Sequence, residues 1–342
     1  MAALMPACGF ARAAAPPQRT RLGIVTHSFG LHQKASKGAK SSLAYNDPLG
    51  QLEACHQLGA GGVQFPFGEL APDKAAKFRQ QAEQWEIRVE AIVNLPKDQT
   101  EVARFEKQVL AAARTGAKWA RTTMLPGRRY EQFKTREEFD RACAQGLHSL
   151  QLAEPIAARH RLRLAVENHK DHLTTEKLEV LKKISSEYVG LCVDVSNNFA
   201  LCEDPVETVR AFAPWTLTVH IKDHAIEECA EGFWLTDVAL GNGFLPLKPI
   251  VEILRQAKPE IPFNLEVITR DPIQVPVRTD AYWATFPGRP RSDADPMLRL
   301  AREKGAAQPL PRVSKLASAD QLSLEQQNLE QSLNYAREHL RI

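Results

Sequence analysis

The chain has 342 residues, 44% hydrophobic and 25% charged, with a formal net charge of +3. So slight a bias excludes a reader of phosphate backbones, and no nucleic-acid partner is expected. No apolar stretch reaches the roughly 18 residues of a membrane span, and the six cysteines (Cys8, Cys55, Cys143, Cys192, Cys202, Cys229) contain no CxxC pair; they read as small buried hydrophobes in a reducing compartment rather than as a thiolate zinc site.

Residues 1–20 are Ala-rich and free of acidic side chains. They read first as a disordered cytoplasmic tail, with the remnant of an export signal as the alternative. From residue 21 short β-rich runs alternate with helical patterns. The runs cover 22–29, 61–65, 87–93, 117–125, 162–167, 189–195, 216–222 and 262–268. Amphipathic segments lie between them, among them "DPLGQLEACHQLG" and "DPVETVRAFA", where Asp-Pro marks a helix start. Eight strands with crossovers predict an α/β fold, a (β/α)8 TIM barrel forming one domain over 21–342. A doubly wound sheet lacks support, because no GxGxxG follows any strand and "GNGF" at 241–244 lacks the third glycine.

Two stretches exceed a minimal barrel. Residues 224–246 lengthen the loop after the seventh strand, and 269–342 hold an aromatic, Pro-rich segment, "PVRTDAYWATFPGRPRSDADP", before a polar C-terminal helix. Loops after strands face the active end of a barrel, so Trp283 and Phe286 are candidates for a lid or rim. A solvated extension or a contact in a homo-oligomer is the alternative.

Four chemistry-bearing residues end consecutive runs: Glu167, Asp194, His220 and Glu266, spaced by 27, 26 and 46 residues. A lone carboxylate at a strand end is commonly a cap or an ion-pair partner. Three converging on one mouth would repel one another by several kcal/mol at reduced dielectric, on the order of 332/(εr). A divalent cation removes that cost. Three carboxylates and one imidazole suit Mn, Mg or Co, with Zn also able to bind. Such an ion can grip a carbonyl and its neighbouring hydroxyl and acidify the intervening C–H, which implies enolisation.

"VENHKDH", "VGLCVDVSNNFAL", "TVHIKD", "GNGFLPL" and "FNLEV" resemble the xylose isomerase-like TIM barrels, in particular the sugar phosphate isomerase/epimerase group, over roughly residues 21–270. The resemblance implies that Glu167, Asp194, His220 and Glu266 hold the metal and that Glu167 and Glu266 flank the substrate as acid and base. Asn197 stands where the family's ketose 3-epimerases carry a His, and Leu173 and Ile226 where they carry a Glu and an Arg, which points away from a free ketose. His169, two residues beyond Glu167, shares its face if the strand continues and is a candidate proton shuttle. Lys222, Asn197, His27 and Arg121 are candidates for contacting substrate.

The expected activity is therefore a metal-dependent sugar or sugar phosphate isomerase or epimerase with a small carbohydrate substrate. The alternative is a lyase that splits 3-oxo-glycosides from the same enolate. A zinc endonuclease of this fold would need histidines where Gln64 and Asn94 stand. A barrel that binds sugar without catalysis would not require all four ligands.

Overall fold

The structure, a computed structural model, describes residues 18–37, 44–305 and 309–342. The tail-or-signal reading therefore falls, for residues 1–17, outside the described residues. Arg19 and Thr20 already belong to the barrel floor: Arg19 pairs with Glu86 at 3.1 Å, and the Thr20 hydroxyl donates to the carbonyl of Ile342.

Each expected run contains one strand of a closed parallel barrel. In chain order these are β1 (Gly23–Val25), β2 (Gly62–Phe65), β3 (Arg88–Ile92), β4 (Trp119–Thr122), β5 (Arg163–Glu167), β6 (Val189–Asp194) and β7 (Thr216–Ile221). After β8 (Asp223–Cys229) and β9 (Gly232–Val238), which lie outside the barrel, β10 (Phe263–Leu265) pairs with both β7 and β1 and closes the ring. The strands are shorter than the apolar runs because the chain leaves the ladder at the rim. Thr26–Phe29, for instance, coils into a 3-10 turn that lifts His27 to the mouth. Both faces of a parallel strand are covered, so a continuous run such as "VGLCVD" is buried throughout.

Helix starts follow the expected chemistry. Asp47 accepts from the N–H groups of Leu49 and Gly50 ahead of helix Pro48–Gln57, and Asp204 does the same for Val206 and Glu207 ahead of Pro205–Phe212. A proline at the first helical position forfeits no hydrogen bond there. The C-terminal helix Ser318–Tyr335 packs Leu329 and Leu333 into the main core, where they join residues from all eight barrel strands and their helices. Its buried Glu325 accepts from the backbone N–H groups of Leu31 and His32 at 2.8 and 3.0 Å, tying the helix to the segment after β1. Among the described residues no helix is long and apolar enough to cross a membrane.

The lengthened loop after β7 is a β-hairpin. β8 and β9 pair antiparallel, and β11 (Ile273–Val275) adds to β9 as a third strand. A second hydrophobic core lies beneath this sheet, with Phe199, Ile226, Phe233, Tyr282, Trp283 and Phe286 among its members. The aromatic segment thus buttresses the hairpin. Trp283 and Phe286 are 8% and 3% exposed and do not line the mouth cavity, so the expected lid is corrected to an internal prop.

Candidate metal centre and active site

β5 and β6 end in Glu167 and Asp194, His220 lies one residue before the end of β7, and Glu266 directly follows β10. Parallel pairing sets Asp194 beside His220 in register, so the four side chains converge on one end of the barrel axis. One ligand atom from each lies within 4.8 Å of all the others, and all four residues are buried. Asp194 Oδ1 accepts from the backbone N–H groups of Ser196 and Asn197 at 3.0 and 2.9 Å, which fixes the carboxylate and leaves Oδ2 facing its neighbours. Among the described residues His220 Nδ1 has no hydrogen-bond partner, and Asp194 Oδ2 meets the Lys222 ammonium at 2.7 Å. An unpaired imidazole nitrogen converging with three buried carboxylates is what a hard divalent ion would satisfy, so the donor set fits a metal.

Two buried cations offset part of the negative charge. Arg121 Nε donates to Glu167 Oε2 at 2.5 Å, while the Lys222 ammonium lies 2.7 Å from Asp194 Oδ2 and 2.5 Å from Glu266 Oε2. Burial disfavours the charged form of both glutamates. The Arg121 guanidinium outweighs it at Glu167, holding that pKa down at about 2, and the Lys222 ammonium with His220 holds Glu266 well below the usual range. Burial opposes charge on Lys222 too, but Asp194 and Glu266 raise it well above the ordinary lysine value. All three groups are ionised at neutral pH.

Below this plane a polar relay runs down the barrel axis. His220 Nε2 lies 2.9 Å from Gln64 Oε1, and Gln64 Nε2 donates to Glu90 Oε2 at 3.2 Å. Glu90 also accepts from Thr218 Oγ1 at 2.8 Å, Asn264 Nδ2 at 2.9 Å and Arg88 Nε at 3.0 Å. The carboxylate can only accept, so the Gln64 amide must point its NH2 at Glu90 and its oxygen at His220. A proton is thereby held on Nε2, and Nδ1, facing the carboxylates, is the nitrogen a metal would take; without metal, against burial, Cys192 and Glu266 raise the His220 pKa well above its ordinary value. Gly23 and Gly62 allow the relay, since a Cβ at either would strike Arg88.

Above the plane lies a mouth cavity of about 220 Å³, lined by Glu266, Lys222, His27, His169, Asn197 and Lys170, with Gly127, Arg128, Glu131, Ile268 and Arg270 at the rim. A larger cavity of about 510 Å³ opens at the opposite end, lined by Arg19, Arg88 and Glu260. Chemistry in such barrels belongs to the C-terminal ends of the strands, which favours the smaller space. His27 Nδ1 lies 3.3 Å from Glu266 Oε1. Asn197 Nδ2 donates to Glu167 Oε1 at 3.2 Å, and its oxygen accepts from Lys170. Burial lowers the pKa of His169, whose Nδ1 has no hydrogen-bond partner among the described residues, so a neutral imidazole is left at the cavity wall.

Arg121 is the candidate substrate contact that lies elsewhere: it is buried on Glu167 and does not line the cavity. Gln64, Glu90, Lys170 and Arg270 were not singled out as site residues from sequence. A Glu in the middle of the apolar strand "RVEAI" was the available signal for the relay, since a buried strand carboxylate requires partners. Burial, followed by the neighbouring Lys222, lowers the pKa of Lys170 to about 8. The "GNG" turn, passed over as a nucleotide motif, wraps the Asp223 carboxylate in the N–H groups of Gly241, Gly243 and Leu245 and so anchors the root of the hairpin.

A family model described as "Xylose isomerase-like TIM barrel" matches residues 51–285. A 3-oxo-isoapionate decarboxylase from Pectobacterium atrosepticum is 28% identical over 113 residues, 32% of this chain and 41% of that protein. An uncharacterised Escherichia coli protein, YihM, is 28% identical over 90 residues, 26% of this chain and 28% of that protein. The chain thus aligns with less than half the length of either relative. Among solved structures, an L-ribulose 3-epimerase superposes with a TM-score of 0.55 at 13% identity, covering 93% of this chain and 96% of that one. That degree of likeness is one of fold.

Proposed function

Because the chain belongs to the xylose isomerase-like TIM barrel family, we propose that it is a divalent-metal-dependent isomerase or epimerase of a sugar or sugar derivative. The observation that carries this reading is the buried Glu167, Asp194, His220 and Glu266 group with its unpaired His220 Nδ1. When bound, Mn, Mg, Co or Zn would polarise a carbonyl oxygen and stabilise the negative charge that develops on it.

The chain's own residues handle the proton. Glu266 lines the cavity, whereas Glu167 lies deeper, tied to Arg121 and Asn197. Glu266 is therefore assigned the removal of the proton next to the carbonyl, giving an enediolate. His169, neutral and unpartnered across the cavity, is the second group able to carry that proton, with Glu167 completing the acid–base set. Lys222 holds Glu266 and reaches the cavity, where it can also meet a substrate oxygen.

A second reading shares the metal-stabilised enolate and is supported by the relative whose name is a decarboxylase of a 3-oxo acid. In a lyase acting on 3-oxo-glycosides the enolate formed by deprotonation expels the leaving group β to the carbonyl; in a decarboxylation the bond to the carboxylate breaks, CO₂ leaves, and its electron pair becomes the enolate that then takes up a proton. Release of an aglycone or of CO₂ separates this outcome from isomerisation. Both require metal-dependent exchange of the hydrogen next to the carbonyl with D₂O or, for decarboxylation, deuterium delivered to the product. Turnover that is indifferent to chelation would overturn them together.

A further inference from the structure

The mouth cavity carries more positive charge than its own residues use. Four cations line it, Arg128, Lys170, Lys222 and Arg270, against two carboxylates, Glu131 and Glu266. Both carboxylates are taken: Glu131 by Arg128 at 2.6 Å and Glu266 by Lys222 at 2.5 Å. Among the described residues Lys170 and Arg270 have no ion-pair partner. The carboxylates that Lys170 feels at longer range are committed elsewhere, Asp194 to Lys222 and Asp237 to His224 and the N–H of Ile268.

Lys170 is 4% exposed and meets one neutral acceptor, the Asn197 amide. Burying a cation without a counter-charge is costly, and so is its backbone, held in the left-handed region at φ 58°. Neighbouring bonds enforce that conformation: the Lys170 carbonyl accepts from Arg129 N at 2.9 Å, and the preceding His169 N–H donates to Asp171 at 3.1 Å. A strained, buried, uncompensated lysine facing a cavity is placed for a ligand that brings the missing charge.

We propose that this cavity takes an anionic sugar, a small sugar acid or a sugar phosphate, whose oxyanion is held by Lys170 and Arg270 while its carbonyl end points toward Glu266. The proposal rests on the isomerase or epimerase reading for the carbonyl end but not for the anion subsite. A volume of about 220 Å³ sets the scale at a single monosaccharide unit.

The test is calorimetric binding to the Mn-loaded protein of three probes that each carry a ketone beside a hydroxyl: 5-keto-D-gluconate, D-fructose 6-phosphate and neutral D-fructose. At least one anion should bind ten-fold or more tighter than D-fructose, the better one identifying carboxylate or phosphate. Lys170→Met and Arg270→Met should each reduce that preference by about ten-fold, as loss of a charge-assisted hydrogen bond would, with D-fructose affinity unchanged. Arg270 is only half-buried, so its variant remains informative if Lys170→Met misfolds. Neither anion exceeding D-fructose, or a preference untouched in both folded variants, overturns the proposal. Anion preference without any metal-dependent proton exchange would sink the isomerase reading and leave the subsite standing; exchange without anion preference would do the reverse.

Discussion

Glu90 lies wholly inside the barrel, below the four candidate ligands, and everything it touches is a donor: Arg88, Gln64, Thr218 and Asn264. Its charge therefore orients the Gln64 amide and, through it, His220. Glu90→Gln can donate as well as accept, so Gln64 can turn over and release the Nε2 proton of His220. Metal affinity should fall by about 10- to 100-fold, the usual effect of losing such support, measured by competition with a chelator. Unchanged affinity would reduce the relay to packing. The four ligands were legible in the sequence because each sits at the tip of an apolar run. Gln64 was read only as the absence of a second-metal histidine, since nothing in "GGVQF" tells which residue it faces across the barrel. Lys170 was hidden for another reason. Its lack of a counter-charge depends on a left-handed turn and on where Asp194 and Asp237 are already bound.

At the scale of elements, the hairpin β8–β9 and its partner β11 hold the rim in place through the second core. The strands of the barrel were legible because parallel strands are apolar throughout, and helices such as Pro48–Gln57 and Pro205–Phe212 because an Asp-Pro start announces them. In the sequence the hairpin looks like a long loop, since β11 comes from a segment some 35 residues further on and no local pattern links the two. Its central ring is Phe233, fully buried against Phe199 at 5.6 Å between centroids. Phe233→Ala should cost about 3–5 kcal/mol by cavity formation. If the second core is a prop rather than part of the centre, urea unfolding will register that loss while metal content stays near wild type. Loss of metal in a variant that remains folded would place the hairpin inside the active assembly.

For the whole molecule, Arg121 and Lys222 allow the barrel to stand without metal, because they already offset two of the three converging carboxylates. The pH dependence of the chelated protein follows from the same pairs. Glu167 and Glu266 have folded pKa values below the unfolded value of ~4.3, so their stabilisation is present above ~4.3 and is lost as pH falls through their folded values, about 2 for Glu167. Lys222 is raised, so its contribution is present below ~10.4 and is lost only as pH climbs through its folded pKa. Between roughly pH 5 and 10 these three groups should leave stability level. Burial opposes charge on His220 but Cys192 and Glu266 raise it well above its ordinary value, so its contribution is present below ~6.5 and is lost as pH rises through its folded pKa. Urea midpoints should therefore fall only above ~6.5; a step between pH 5 and 6 assigned to this cluster by its loss in Glu266→Gln would contradict the pairing. Metal at 100 times its Kd should add about 2.7 kcal/mol.

Fold, metal and proton transfer are all engaged at once when hydrogen on the carbon beside a substrate carbonyl exchanges with D₂O, followed by NMR over the keto-sugar acids, sugar phosphates and 3-oxo-glycosides that fit the cavity. The Mn-loaded protein should catalyse exchange with at least one of them, chelation should abolish it, and Glu266→Gln should cut it by roughly 10² to 10⁴ while retaining more metal than Asp194→Ala or His220→Ala. Glu167→Gln should lose exchange as well. Wild-type exchange rates in both glutamine variants, or full metal occupancy in the Asp194 and His220 variants, would contradict a metal-dependent enolisation carried by these four residues.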